Sequence, residues 1–167
     1  MPRPGGPDSI HRFHVRCTWA GSTAAGYEGY DRSHLATAPP AGTELSLSAD
    51  PGFRGDPALL NPEQLVVLAA ASCQLLSFLA VASRARIDVV GYDDEGEATM
   101  TVTRAPSRID WIVLRPTIRV VGDVTEARIR RLVEVAHREC FIANSLRTEV
   151  RVEPTVVILP PYGPPAL

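Results

Sequence analysis

The sequence predicts an α+β domain, and three observations carry that prediction. Residues 64–83 hold no charged side chain and follow a helix-start signal. A second stretch, beginning at Thr125, places apolar residues at helical spacing. Between and around these two lie short runs that alternate apolar and polar residues or are rich in Val and Ile, as strands are. Two helices packed against antiparallel strands is the layered arrangement that this order allows.

The elements follow in chain order. Alternation from His11 to Trp19 predicts a strand with Phe13, Val15 and Cys17 on one face. A turn at Ala20–Gly26 leads to a second short strand near Tyr27–Tyr30 and a third at Ser33–Ala38. Residues 39–60 hold four prolines and three glycines and read as a long packed or functional loop. Asn61 is placed as an N-cap, Pro62 as the first helical residue and Glu63 as a first-turn acid suited to the helix dipole. The first helix should run to about Arg84. A strand is expected at Asp88–Tyr92, with a continuation after a break through Glu97–Arg104. Another covers Trp111–Val121, where Pro116 suggests an edge or a bulge. Thr125 caps a second helix with Ile129, Leu132, Val133 and Ala136 as its apolar stripe, ending near Cys140. A last strand spans Glu149–Leu159.

Composition narrows the function classes. The chain has 167 residues, 45% of them hydrophobic, and a formal charge of −2 from 17 basic and 19 acidic side chains. That is the size of one ordinary domain with a real core, and the balance argues against a nucleic-acid surface or a polybasic membrane anchor. The three cysteines, Cys17, Cys73 and Cys140, make no disulfide framework, and no CxxC or Cys/His spacing suggests zinc. MPRPGGPDSI has no apolar signal core, so a cytoplasmic protein with reduced thiols is expected. The uncharged stretch 64–83 is long enough to span a bilayer. Its Ala, Ser and Gln content and the lack of flanking basic clusters favour a helix surrounded by protein.

Cys73 lies in the middle of that helix. Buried free cysteine usually behaves as a small hydrophobe, and this reading suits Cys17. A reactive Cys73 needs a nearby cation to form thiolate. The helix supplies none, which leaves Arg32 or Arg54. Ten residues separate Glu63 from Cys73, or about 15 Å along a straight helix. They meet only if the helix breaks sharply or if an antiparallel copy from a second subunit brings its Glu63 to this Cys73. The second route also explains a helix apolar on all sides, and it predicts a homodimer with composite sites.

The residues NPEQL, the Glu63-to-Cys73 spacing and AHREC–FIANSL around Cys140 resemble the OsmC/Ohr family of thiol peroxidases. GYEGYDRSH and GFRGDPALLNPEQL resemble its OsmC-like branch. The resemblance covers residues 11–159 as one domain, between a flexible N-terminus (1–10) and a Pro-rich tail (160–167). It implies an OsmC/Ohr-like fold in an intertwined homodimer. It also implies a peroxidase for organic hydroperoxides, with hydrogen peroxide left open as a further substrate, that uses no cofactor and no metal; composition already argues against nucleic acid and membrane as partners. Cys73 matches the peroxidatic cysteine, Cys140 the resolving one, Arg32 the thiolate-activating cation and Glu63 the carboxylate that holds it. Leu76, Phe141 and Ile142 would line an apolar pocket, and an external thiol would serve as reductant. Phe141 follows Cys140 where the Ohr branch has proline, and Gln74 follows Cys73 where bulky residues are common. The alternatives are a non-catalytic dimeric module that binds an apolar small molecule in the same pocket, and an interaction dimer with a docking tail.

Overall fold

The computed structural model describes residues 10–103 and 106–161. The expected flexible terminus, apart from Ile10, and the tail beyond residue 161 lie outside these. The chain divides into two compact units, one up to Val66 and one from Val67 onward.

The first unit is a three-stranded antiparallel sheet, β1 (Arg16–Thr18), β2 (His34–Thr37) and β3 (Glu44–Leu47), in that order. β2 is the strand expected at Ser33–Ala38. The strand expected from His11 to Trp19 shrinks to β1, whose three residues are all exposed. Without a buried face, its alternation has nothing to fix it. Tyr27–Tyr30 is a turn rather than a strand, with Gly26 in the left-handed region (φ 77°) and the Gly29 N–H bonded to the Gly26 carbonyl. β3 lies inside the presumed loop 39–60 and pairs with β2 from Glu44 to Leu47. A 3₁₀ turn at Pro51–Phe53 follows, capped by the Asp50 carboxylate.

Helix α1 (Pro62–Arg84) is uninterrupted. Its start is a reciprocal cap: the Asn61 Oδ1 accepts from the Gln64 N–H at 2.8 Å and the Gln64 Oε1 accepts from the Asn61 N–H at 3.0 Å. The broken-helix route from Glu63 to Cys73 is therefore closed.

In the second unit, β4 (Asp88–Met100) and β5 (Ile109–Val121) form a long antiparallel pair. The break expected after Tyr92 does not occur. Asp93–Gly96 has the composition of a turn, but it continues β4 because only alternate residues of this edge strand face inward. β6 (Glu149–Val152) and β7 (Thr155–Leu159) replace the single last strand, and both pair with β5 in parallel. The sheet is thus mixed, not purely antiparallel. Pro116 is neither at an edge nor in a bulge. It is buried in the central strand, where the β6 pairing ends at Leu114 and the β7 pairing begins at Thr117. No neighbouring strand requires its missing N–H there.

Helix α2 (Glu126–Glu139), capped by Thr125, and the short α3 (Phe141–Ser145) complete the unit. α1 and α2 cover one face of the sheet. Phe78, Val81 and Ala82 from α1 meet Ile118 and Val120 from β5 and Ile129, Val133 and Ala136 from α2. Gly96 lets α1 close on β4, since a Cβ there would stand 3.0 Å from Val67. Arg84 pairs with Glu139 at 2.6 Å and ties the ends of the two helices.

Candidate active site

Cys73 and Cys140 are brought together by this packing. Cys73 is a half-buried residue midway along α1. Cys140 ends α2 and precedes α3, and it is 1% exposed. Both thiols are free. Cys73 bears directly on the Cys140 thiol, and the Ile142 N–H, two residues past Cys140, donates to the Cys73 Sγ at 3.5 Å. Burial, and then Cys73, push the Cys140 thiol up to about 11, while the main-chain N–H groups of Ala143 and Ile142 pull the other way. The buried Cys140 sulfur therefore holds its proton. Two thiols in contact can form a disulfide with little rearrangement.

Leu76 and Phe141 flank this pair but do not enclose it, being 63% and 61% exposed. The expected apolar wall is thus an open surface in the single chain.

Arg32 and Glu63 belong to the first unit. Arg32 donates from Nη1 to the Tyr30 carbonyl and from Nη2 to the Tyr27 carbonyl, each at 2.6 Å. Its guanidinium lies 4.0 Å from the Tyr30 ring centroid and 4.8 Å from that of Tyr27, a doubled cation–π contact. It borders an open hollow of about 260 Å³ with Trp19, Thr23 and His34. Glu63 is half-buried in the first turn of α1. Among the described residues no ion pair joins it to Arg32. Arg54 sits in the left-handed region (φ 65°) and pairs with Glu28. Cys17, expected on an apolar face, is exposed on β1.

Sequence reasoning missed the polar groups inside the core. Gln74 and Ser77, on α1 beside and one turn beyond Cys73, are buried, as are the Tyr92 hydroxyl and the Asp94 carboxyl of β4. A polar pair two apart in a strand was the available signal, hidden by the turn-like run Asp93–Gly96.

Comparison with known proteins gives the family and the fold. The sequence profile of the OsmC-like protein family matches residues 55–155. An OsmC-like protein of unknown function from Vibrio cholerae is 27% identical, with a TM-score of 0.79 over 87% of this chain and 100% of that one. The organic hydroperoxide resistance protein OhrB of Bacillus subtilis is 17% identical, with a TM-score of 0.62 over 89% of this chain and 100% of its own, a likeness of fold. The uncharacterized protein YmaD of Bacillus subtilis is 21% identical over 146 residues, which span 86% of this chain and 91% of that protein.

Proposed function

Because the chain belongs to the OsmC-like family, we propose that it is a thiol-dependent peroxidase that reduces organic hydroperoxides, with Cys73 as nucleophile and Cys140 as resolving thiol. The observation that carries this reading is the contact of the two thiols, one buried and protonated, the other facing a main-chain N–H.

The Cys73 thiolate attacks the peroxide O–O bond. One oxygen stays on sulfur as sulfenic acid, and the other leaves as alkoxide, which takes a proton to become the alcohol. Cys140 then displaces the sulfenic hydroxyl, giving a disulfide and water. An external thiol returns both cysteines to the reduced state. Arg32 is the cation assigned to the Cys73 thiolate and to the departing oxygen, and Glu63 the carboxylate that turns the guanidinium toward them by a bidentate pair. In this role Arg32 exchanges its two tyrosine carbonyls for the carboxylate.

The same reading includes a homodimer. α1 is long and apolar enough to cross a membrane, with 33% of its apolar window buried. Leu68, Leu76 and Leu79 stand exposed along it. Each leucine fully removed from water is worth about 1.5–3 kcal/mol, so an antiparallel second copy of α1 is a favourable cover. It would also bring a partner's first-turn acid toward Cys73. Reduced thiols and this assembly suit the cytoplasm.

A second reading, a non-catalytic module that binds an apolar small molecule, is favoured by the engaged state of Arg32 and by the exposed Leu76 and Phe141 beside the thiols. Thiol counting after stoichiometric cumene hydroperoxide separates the two. A peroxidase loses two thiols rapidly, Cys73→Ser loses none rapidly, and Cys140→Ser stops at one oxidised thiol. Slow loss that is indifferent to Cys73 and equal with hydrogen peroxide selects the binding module.

A further inference from the structure

The proposed chemistry uses both sulfurs but not the polar groups behind them. Tyr92 and Asp94 stand two apart on β4 and therefore share a face. That face is the inner one, with the Tyr92 ring 5.9 Å from Phe78. The Tyr92 hydroxyl and both Asp94 carboxyl oxygens are shut off from solvent without a hydrogen-bond partner among the described residues. Buried polar groups nearly always have partners, so two unpaired ones on one face ask for a reason. Tyr92 packs against the core cluster that holds Phe78 and Ala136, the latter one turn before Cys140 on α2, and Asp94 and Cys140 are the charges that bear on the phenol.

Among the described residues no ion pair reaches Asp94. At the α2–α3 junction, Cys73 and the N–H groups of Ile142 and Ala143 bear on Cys140, and His137, in the last turn of α2, has a buried Nδ1 without a partner among the described residues. From β5 comes the main-chain N–H of Arg115, which bears on Asp94 without completing a bond of good geometry. The Arg115 guanidinium is turned to Glu97 and Glu153. Burial raises the Asp94 carboxyl and, with the Asp94 charge second, the Tyr92 phenol. The phenol thus keeps its proton throughout, and its O–H is a donor with no acceptor engaged.

We propose that Tyr92 donates a hydrogen bond to the Cys140 sulfur as that thiol reacts, and that Asp94 is the positioning residue that orients the phenol. The inference rests on the peroxidase reading for the step it serves. In that step the Cys140 thiol attacks the Cys73 sulfenic acid, the S–S bond forms, the S–O bond breaks, and the thiol proton leaves with the hydroxyl as water. The thiol must first give up its proton, and the charge then resting on this solvent-free sulfur is where an extra donor has its largest effect; that charge passes to the departing hydroxyl as the S–S bond forms. Because the phenol holds no other partner, nothing must break for it to turn.

A structural role and this role diverge in two measurements. Removing an unpaired buried hydroxyl leaves stability equal or higher, so Tyr92→Phe should melt no lower than its parent. In a Cys17→Ser/Cys73→Ser background, Cys140 is the only thiol, and its reaction with methyl methanethiosulfonate is followed from neutral to alkaline pH. Tyr92→Phe should react about tenfold more slowly at fixed pH, a rise of about one unit in the midpoint. Asp94→Asn should show a smaller rise, because an amide can still orient the phenol, and Asp94→Leu a larger one. Superimposable profiles for parent and Tyr92→Phe overturn the proposal. Should Tyr92→Phe fail to fold, the Asp94→Leu profile decides in the same way. This assay uses no peroxide, so a failure of the peroxidase reading shows separately, as wild-type protein that keeps its thiols in cumene hydroperoxide. In protein with all its cysteines, Tyr92→Phe should form the Cys73 sulfenic acid at the parent's rate and close the disulfide about tenfold more slowly. Equal slowing of both steps overturns the assignment to Cys140.

Discussion

The main-chain N–H of Ile142 donates to the Sγ of Cys73 at 3.5 Å, joining residues 69 positions apart. The bond holds the start of α3 against the middle of α1 and leaves Cys140, two residues earlier, buried beside it. A pH effect on stability follows. The Cys140 thiol is raised from 9.0 to about 11 in the folded protein, chiefly by burial. The unfolded chain therefore loses this proton first as pH rises. Stability from this group is complete below pH 9.0, falls between there and about 11, and does so at up to about 1.4 kcal/mol per pH unit. Urea unfolding across that window, compared with Cys140→Ala, should show the slope in the parent and lose this part of it in the variant.

Asp94 gives an effect in the acid range. Burial raises its carboxyl above 3.8, the ordinary value. Its contribution is full below that value and is lost as pH rises through the raised one. Asp94→Asn should therefore raise the melting temperature at neutral pH, and the gain should vanish in acid. An equal gain at both pH values would count against a buried carboxyl as its source.

Phe78 is 0% exposed and sits where α1, α2 and the sheet meet. Phe78→Ala should cost about 3–5 kcal/mol by chemical denaturation. A loss below about 1 kcal/mol would mean that the site collapses around the smaller side chain.

The reciprocal cap at Asn61 and Gln64 predicts a coupled loss. Asn61→Ala should cost about 1 kcal/mol. Adding Gln64→Ala should cost less than the sum of the single changes, because each side chain closes on the other's main chain. Thermal melts of the four proteins in the cycle measure that coupling.

The proposed dimer is tested on the exposed line of α1. Sedimentation of the 18.1 kDa chain should give twice its mass, and Leu76→Glu should return it toward the monomer. A wild-type monomer at micromolar concentration would remove the partner-supplied Glu63 from the mechanism.

The sequence disclosed the helices better than the strands. Asn61, Pro62 and Thr125 are local signals that act within one turn, and both helix starts were placed correctly by them. β5 was legible because its burial is nearly continuous. β3 was hidden among prolines and glycines, and β4 among acids, because edge and outer positions tolerate residues that usually mark turns. The split of the last strand turned on Glu153, whose N–H bonds to the Leu114 carbonyl at 2.8 Å, and on Pro154 after it. Glu153 does not read as a break, but Pro154 does, and the single-strand reading passed over it.

The site divides in the same way. No local rule sets Cys140 beside Cys73, since the contact depends on how α2 docks on α1. The family resemblance carried that pairing. The tyrosine setting of Arg32 was equally illegible, because Tyr27 and Tyr30 were read as a strand and strand neighbours alternate sides. In the observed turn both carbonyls and both rings converge on one guanidinium.

Pro116 has a consequence for how the sheet finds its pairing. From Trp111 to Val121 every residue of β5 faces a strand on both sides except Arg115 and Pro116, which face the interval between β6 and β7 on one side. A slip of one residue would carry the proline under a strand that needs an N–H. It would also turn Ile112, Leu114, Ile118 and Val120 to the opposite face. Backbone and side chains thus reject the same error, and β5 works as a keyed part that admits its three neighbours in one alignment only.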